Sequence, residues 1–205
     1  MWLHSCQQGF VMEGAVMRIS IPVVLAGIAG LSGAASAQCD TATLEELVFL
    51  SGDWNRYEQT GIYGGQSYYV LDADACEVVE MVEGGDGNTL QRALFVDPDT
   101  GQWRETYNPD FFYYDLSGEI DANGALVMTG WSDSGEEGSV REDLRARWAP
   151  LDDGAFAYVM QVRAPGAGRW DILGAWTYVP RGSDPNGETP APDAQGPALG
   201  SEWFE

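Results

Sequence analysis

From residue 53 to residue 179 the chain alternates apolar and polar positions in short runs, and each run ends in residues suited to turns. A period of two puts successive side chains on opposite faces of a strand. The pattern predicts strands over 53–59, 66–72, 76–83, 89–97, 102–107, 111–120, 124–131, 139–149, 154–163 and 169–179. Gly64-Gly65, Asp97-Pro98-Asp99-Thr100-Gly101, Asn123-Gly124, Asp153-Gly154 and Pro165-Gly166 supply the turns between them. Only 41–50 reads as a helix, with Thr43 as its cap, Glu46 three residues on, and Leu44, Leu47 and Val48 on one face. Ten short strands without a βαβ pattern predict an all-β, antiparallel up-and-down barrel, since closure removes the sheet edges.

One hairpin assigns the faces of the wall. Pairing Val96 with Trp103 puts Leu90, Arg92, Leu94, Val96, Trp103, Glu105 and Tyr107 on one face, and Gln91, Ala93, Phe95, Asp97, Gln102, Arg104 and Thr106 on the other. The first set is more apolar and is expected inside. Along 139–149, Val140, Glu142, Leu144, Ala146 and Trp148 alternate with Arg141, Asp143, Arg145 and Arg147, so the charged side is expected in water. Strands 154–163 and 169–179 are apolar on both faces and need cover on one side from the helix or the tail.

The ends of the chain differ from this middle. Residues 17–37 carry Arg18, an apolar run from Ile21 to Leu31 and an Ala35-Ser36-Ala37 cleavage motif, the parts of a secretory signal peptide. Residues 1–37 are therefore expected to be an upstream extension and signal peptide, cleaved after Ala37, and the product periplasmic or secreted. The apolar run is short for a membrane anchor, and no stable membrane insertion is expected after cleavage. The barrel is assigned to 38–181. Residues 182–205 are rich in Pro, Gly, Asp and Ala and read as a disordered or loosely attached acidic tail, with Trp203-Phe204 able to dock on the domain. Cleavage leaves Cys39 and Cys76, which an oxidising compartment would join as a disulfide.

Composition narrows the chemistry. The 205 residues hold 32 Asp and Glu against 10 basic residues, all of them Arg, for a net charge of −22. Such a surface repels phosphate backbones and anionic headgroups, which argues against nucleic acid or a membrane surface as partner. There is no Lys, and the one His, His4, lies ahead of the cleavage site. Lysine Schiff bases, histidine bases and histidine metal ligands are thus absent from the mature chain, and no metal site or cofactor is expected. Asp97–Gly101 has the wrong spacing for an EF-hand calcium loop.

Gly52-Asp53-Trp54, at a helix-to-strand junction, resembles the G-x-W signature of lipocalin-like barrels, in which the Trp plugs the closed end. Segments 49–54, 74–80, 97–106 and 174–181 also resemble one bacterial family of secreted, lipocalin-like domains without an assigned activity. The resemblance runs from about Leu44 to Arg181. It implies a structural cation–π pair between Trp54 and an arginine near the barrel's end, here Arg181. Related haem-binding barrels use an axial His, which the mature chain lacks, so haem is set aside.

A barrel interior holding Arg92, Glu105, Tyr107 and Glu142, with Glu80 joining them, must pair those charges or offer them to a ligand. The expected ligand-binding set is Arg92, Trp103, Glu105, Tyr107, Trp131, Glu142, Trp148 and Tyr158, with Tyr69 and Trp176 as further wall. The expected function is non-catalytic binding of a small hydrophobic or amphipathic molecule. Two alternatives are an enzyme using interior carboxylates, as isomerase or hydrolase, and a protein-interaction module with a filled barrel.

Overall fold

The computed structural model describes residues 44–84, 88–107, 112–135 and 139–204. Ten strands follow in chain order: β1 (Gly52–Glu58), β2 (Tyr63–Asp72), β3 (Glu77–Gly84), β4 (Thr89–Val96), β5 (Trp103–Tyr107), β6 (Tyr113–Ile120), β7 (Leu126–Asp133), β8 (Glu142–Pro150), β9 (Phe156–Arg163) and β10 (Asp171–Pro180). Each pairs antiparallel with the next, and β1 closes on β10, so the sheet is a closed ten-stranded barrel. The ends of the predicted strands shift by three residues or fewer. Turn chemistry explains that agreement. At 97–101, for example, Asp97 Oδ1 accepts the N–H groups of Asp99 and Thr100, and Gly101 turns the chain at φ 72°.

Val96 does pair with Trp103. Leu94, Trp103 and Glu105 are buried, whereas Gln91 and Thr106 are exposed. Arg104, on the outer face, bridges Asp97 at 3.3 Å and Asp115 at 2.7 Å.

The segment before β1 differs from the predicted helix. Leu44 and Glu45 have helical backbone, a turn follows, and Val48–Leu50 form one turn of 3-10 helix. Thr43, the expected cap, lies outside the described residues. The N–H of Leu47 bonds to Leu44 and that of Leu50 to Leu47, at 3.0 and 2.9 Å. A step of three aligns side chains at every third residue, so Leu44, Leu47 and Leu50 are buried while Val48 points to solvent. These leucines join Trp54, Tyr69, Phe156 and Tyr178 in the core cluster and close this end of the barrel. Trp54 Nε1 donates to the Leu50 carbonyl at 2.8 Å, and its ring meets Phe156 edge-on at 4.8 Å.

Arg181 does not stack on Trp54, contrary to expectation. Trp54 sits opposite Pro180, and the chain turns away there, so the Arg181 Nε instead donates to the Glu188 carbonyl.

The segment after β10 is a packed strap, not a loose tail. Asn55 and Tyr57, on the outer face of β1, donate to Asp184 Oδ2 at 2.7 and 2.6 Å. Asn186 donates to the Tyr57 hydroxyl and to the Gln195 carbonyl. Farther on, Gly196 and Leu199 bond through their N–H groups to the carbonyls of Gly61 and Gln59. Arg147 lies over the Trp203 ring, and Gln161 Nε2 donates to the Phe204 carbonyl. This strap buries the outward side chains of β1 and reaches β8 and β9. It accounts for strands that are apolar on both faces, since β9 is buried at six consecutive positions from its start.

Replacing Asp184 with Ala removes the shared acceptor of Asn55 and Tyr57. Leaving buried donors unpaired costs about 1–3 kcal/mol. The expected result is a lower denaturant midpoint by that amount with unchanged far-UV dichroism. A change below about 0.5 kcal/mol, the usual range at an unconstrained surface position, would show that the strap is not anchored there.

Candidate functional site

The end opposite Leu44, Leu47 and Leu50 holds a cavity of about 170 Å³. Arg92, Tyr107, Tyr114, Tyr158 and Trp176 line it, with Leu90, Met160, Leu173 and Gly174. Alternation puts these side chains inside: Arg92 shares a face with Leu94, and Tyr158 with Phe156 and Met160. Tyr107 stacks on Tyr114 with ring centres 5.4 Å apart, and Tyr158 on Trp176 at 5.8 Å. Trp176 is held close by Gly174, where a Cβ would strike its six-membered ring. The wall is mainly aromatic and its polar groups converge from below.

Those polar groups form a layer across the barrel. Glu80 Oε1 accepts from the Ser67 hydroxyl at 2.6 Å and the Tyr178 hydroxyl at 3.0 Å, and Oε2 accepts from Arg92 Nε at 2.7 Å. Arg92 Nη2 also pairs with Glu80, and the Arg92 guanidinium lies over the Tyr158 ring at 4.6 Å. Arg92 Nη1 is 4.0 Å from Glu105 Oε1, which accepts from the Tyr114 hydroxyl at 2.7 Å. Tyr69, Trp148 and Glu105 border a void of about 10 Å³ next to this layer. The Tyr69 hydroxyl, Trp148 Nε1 and Glu105 Oε2 have no hydrogen-bond partner among the described residues.

The two carboxyls titrate in opposite directions. Burial pushes Glu80 up, but Arg92, Arg56 and the hydrogen bonds from Ser67 and Arg92 outweigh it, and its pKa falls below the ordinary value. Burial also pushes Glu105 up, and there Arg92 and Tyr114 compensate only in part, so its pKa rises. The arginines and hydrogen bonds thus favour the ionised form of Glu80, whereas burial disfavours that of Glu105.

The expected ligand-binding residues divide accordingly. Arg92, Tyr107 and Tyr158 line the cavity, and Glu105 and Trp148 lie in the layer beneath it. Trp103 is buried nearer the closed end, opposite Val96 and Gly118, and does not reach the cavity. Glu142, half-buried at the start of β8 opposite Ser132, takes no part in the hydrogen bonds or ion pairs of the layer. Trp131 is a correction. On β7, Leu126, Met128 and Ser132 face in, so Trp131 faces out, where Arg141 covers its ring at 3.8 Å. Cys39 lies outside the described residues.

Sequence reasoning passed over Tyr114, Tyr178 and Arg56. Arg56 is 9% exposed, with its guanidinium 5.1 Å from the Trp176 ring centre and 5.8 Å from that of Tyr178. Its signal was the alternation Trp54, Arg56, which continues the inward face of β1. Burial of Asn55 and Tyr57 by the strap hides that alternation in the burial pattern. No protein-family model matches the chain, and no curated protein is significantly similar to it.

The carboxyl shifts give a pH signature. A carboxyl whose folded-state pKa is raised contributes stability below its unfolded value, and loses it as pH climbs through the folded value. Glu105 is such a group, and Glu105→Gln stays neutral throughout. The melting temperature of Glu105→Gln minus that of the parent should therefore rise as pH climbs above the ordinary carboxylate value of about 4. Glu80 has the reverse sign, its contribution being lost as pH falls through its depressed value. Glu80→Gln strands Arg92 and should cost about 3–5 kcal/mol at neutral pH, with a smaller deficit in acid. Parallel pH curves for each variant and its parent would contradict the assignment.

Proposed function

We propose that the barrel is an exported, non-catalytic binder of a small amphipathic molecule held in the mouth cavity. The observation that carries this reading is the cavity itself, with an aromatic wall and a polar layer at one side. Its volume of about 170 Å³ suits a ligand of roughly one aromatic ring, since an apolar cavity of about 150 Å³ takes up benzene. The rest of the interior is filled by the core cluster, so the ligand occupies the mouth and not the whole barrel. The resemblance to secreted lipocalin-like domains supports the same reading.

The catalytic alternative needs two carboxylates free to act on one point. Glu80 has both oxygens committed to Ser67, Tyr178 and Arg92, which favours a structural role. The interaction-module alternative has one observation in its favour: Tyr68, Val70 and Met81 are exposed on the outer face of β2 and β3, with Tyr68 opposite Met81.

Export and a Cys39–Cys76 bridge belong to the same proposal, and Cys76 is not without a partner. Non-reducing peptide mapping of protein recovered from the periplasm or medium should find the two cysteines linked and Gln38 as first residue. Free thiols at both positions would remove the bridge.

Calorimetric titration with benzyl alcohol, a neutral one-ring probe, tests the cavity. Saturable binding is expected. Gly174→Ala should abolish it, because the added methyl group must displace the Trp176 ring, while the melting curve stays cooperative. Failure of benzyl alcohol and of its charged one-ring analogues alike to bind the parent protein, or undiminished binding to Gly174→Ala, would overturn the site.

A further inference from the structure

Arg56 is the one guanidinium inside the barrel that the described residues leave without an ion pair. Its Nε is buried and has no hydrogen-bond partner. No carboxylate among the described residues lies within 4.0 Å of it. Its guanidinium lies against the rings of Trp176 and Tyr178. Glu80 feels its charge through space, yet Glu80 is engaged by Arg92 through both Nε and Nη2. Glu105 is engaged by the Tyr114 hydroxyl. The interior thus holds two guanidiniums and two carboxyls, and both carboxyls face Arg92, Glu80 at hydrogen-bond distance and Glu105 at 4.0 Å, which leaves Arg56 without one. A buried cation without a partner costs several kcal/mol, and such groups persist where they serve a ligand.

The cavity connects to this unpaired cation. Arg92 lines it directly, and Trp176, which also lines it, carries Arg56 against its ring. We propose that the mouth cavity selects a small monoanion, a carboxylate on a body of about one ring, with its head group toward Arg92 and its charge balanced by Arg56. The body then lies among Tyr107, Tyr158 and Met160. This assignment rests on the mouth cavity being a ligand site, and adds to it the sign of the ligand's charge. The acidic exterior works against any anion, so the preference must arise inside the barrel. At physiological salt the outer charges are screened beyond about 8 Å, which makes that the condition for the test.

The experiment compares benzoate, benzyl alcohol and benzylamine by calorimetric titration at physiological salt and neutral pH. Benzoate should bind at least about tenfold more tightly than benzyl alcohol, the scale expected of one uncompensated charge at low local dielectric. Benzylamine should bind weakest. Arg56→Met should bring the benzoate-to-benzyl alcohol ratio close to one, and Arg56→Lys should preserve it. Replacing an unpaired buried charge with an apolar side chain of similar volume is often neutral or stabilising, so the Met variant should fold, and its melting curve checks this. Equal binding of benzoate and benzyl alcohol, preference for benzylamine, or an unchanged ratio in Arg56→Met would overturn the anion assignment and leave the cavity reading intact. Failure of all three probes to bind would overturn both.

Discussion

The Glu80 carboxylate joins four strands. It stands on β3 and accepts from Ser67 of β2, Arg92 of β4 and Tyr178 of β10. Its most distant donor in sequence, Tyr178, lies 98 positions away. Apolar side chains can slide past one another at little cost, whereas a buried carboxylate must find its donors. A shift of one residue in β3 would turn Glu80 outward and leave Arg92 and Tyr178 without an acceptor. The ion pair therefore acts chiefly on register, because its desolvation cancels much of its net contribution to stability. Everything on the mouth side of it depends on that register, including the ring of Tyr158 under Arg92.

A second constraint comes from outside the barrel. A closed sheet of ten strands has an inner and an outer surface, and β9 is buried on both along most of its length, as β1 is from Trp54 to Tyr57. The strap resolves this by giving the outer groups a polar lattice of their own, centred on Asp184. The same segment fastens the β1–β2 turn, where the Gly61 N–H donates to the Glu58 carbonyl and the Gly61 carbonyl accepts from the Gly196 N–H. That turn is at the mouth end, so the strap fixes the rim of the cavity without entering it.

Much of the wall was legible because local chemistry specifies it. Val96 opposite Trp103 follows from a five-residue turn beginning at Asp97, and inward Glu105 follows from that register alone. Two kinds of residue were not legible. Trp131 was assigned inward because it is aromatic, yet a Trp can be stabilised on an outer wall by an arginine, as Arg141 does. Arg56 was passed over although alternation from Trp54 turns it inward, because Asn55, Arg56 and Tyr57 form an unbroken polar run in which no apolar partner marks the inner face. The loose reading of the tail has a different cause. Pro and Gly prevent regular structure, but they do not prevent docking when Asp184 and Asn186 can reach Tyr57.

The closed end and the mouth divide the work between packing and charge. At the closed end Trp54, Phe156 and Tyr178 fill the section, with Phe156 and Tyr178 stacked at 4.2 Å. A filled section of this kind excludes water and lowers the local dielectric beneath the polar layer. That low dielectric raises Glu105 and makes the unmatched charge of Arg56 expensive. It also gives a guanidinium at the mouth a reach it would lack in water. The tight packing of Leu44, Leu47 and Leu50 at one end is thus a condition for electrostatic selectivity at the other. A looser closed end, admitting water to the Glu80 layer, would weaken the recognition of charge before it weakened the barrel.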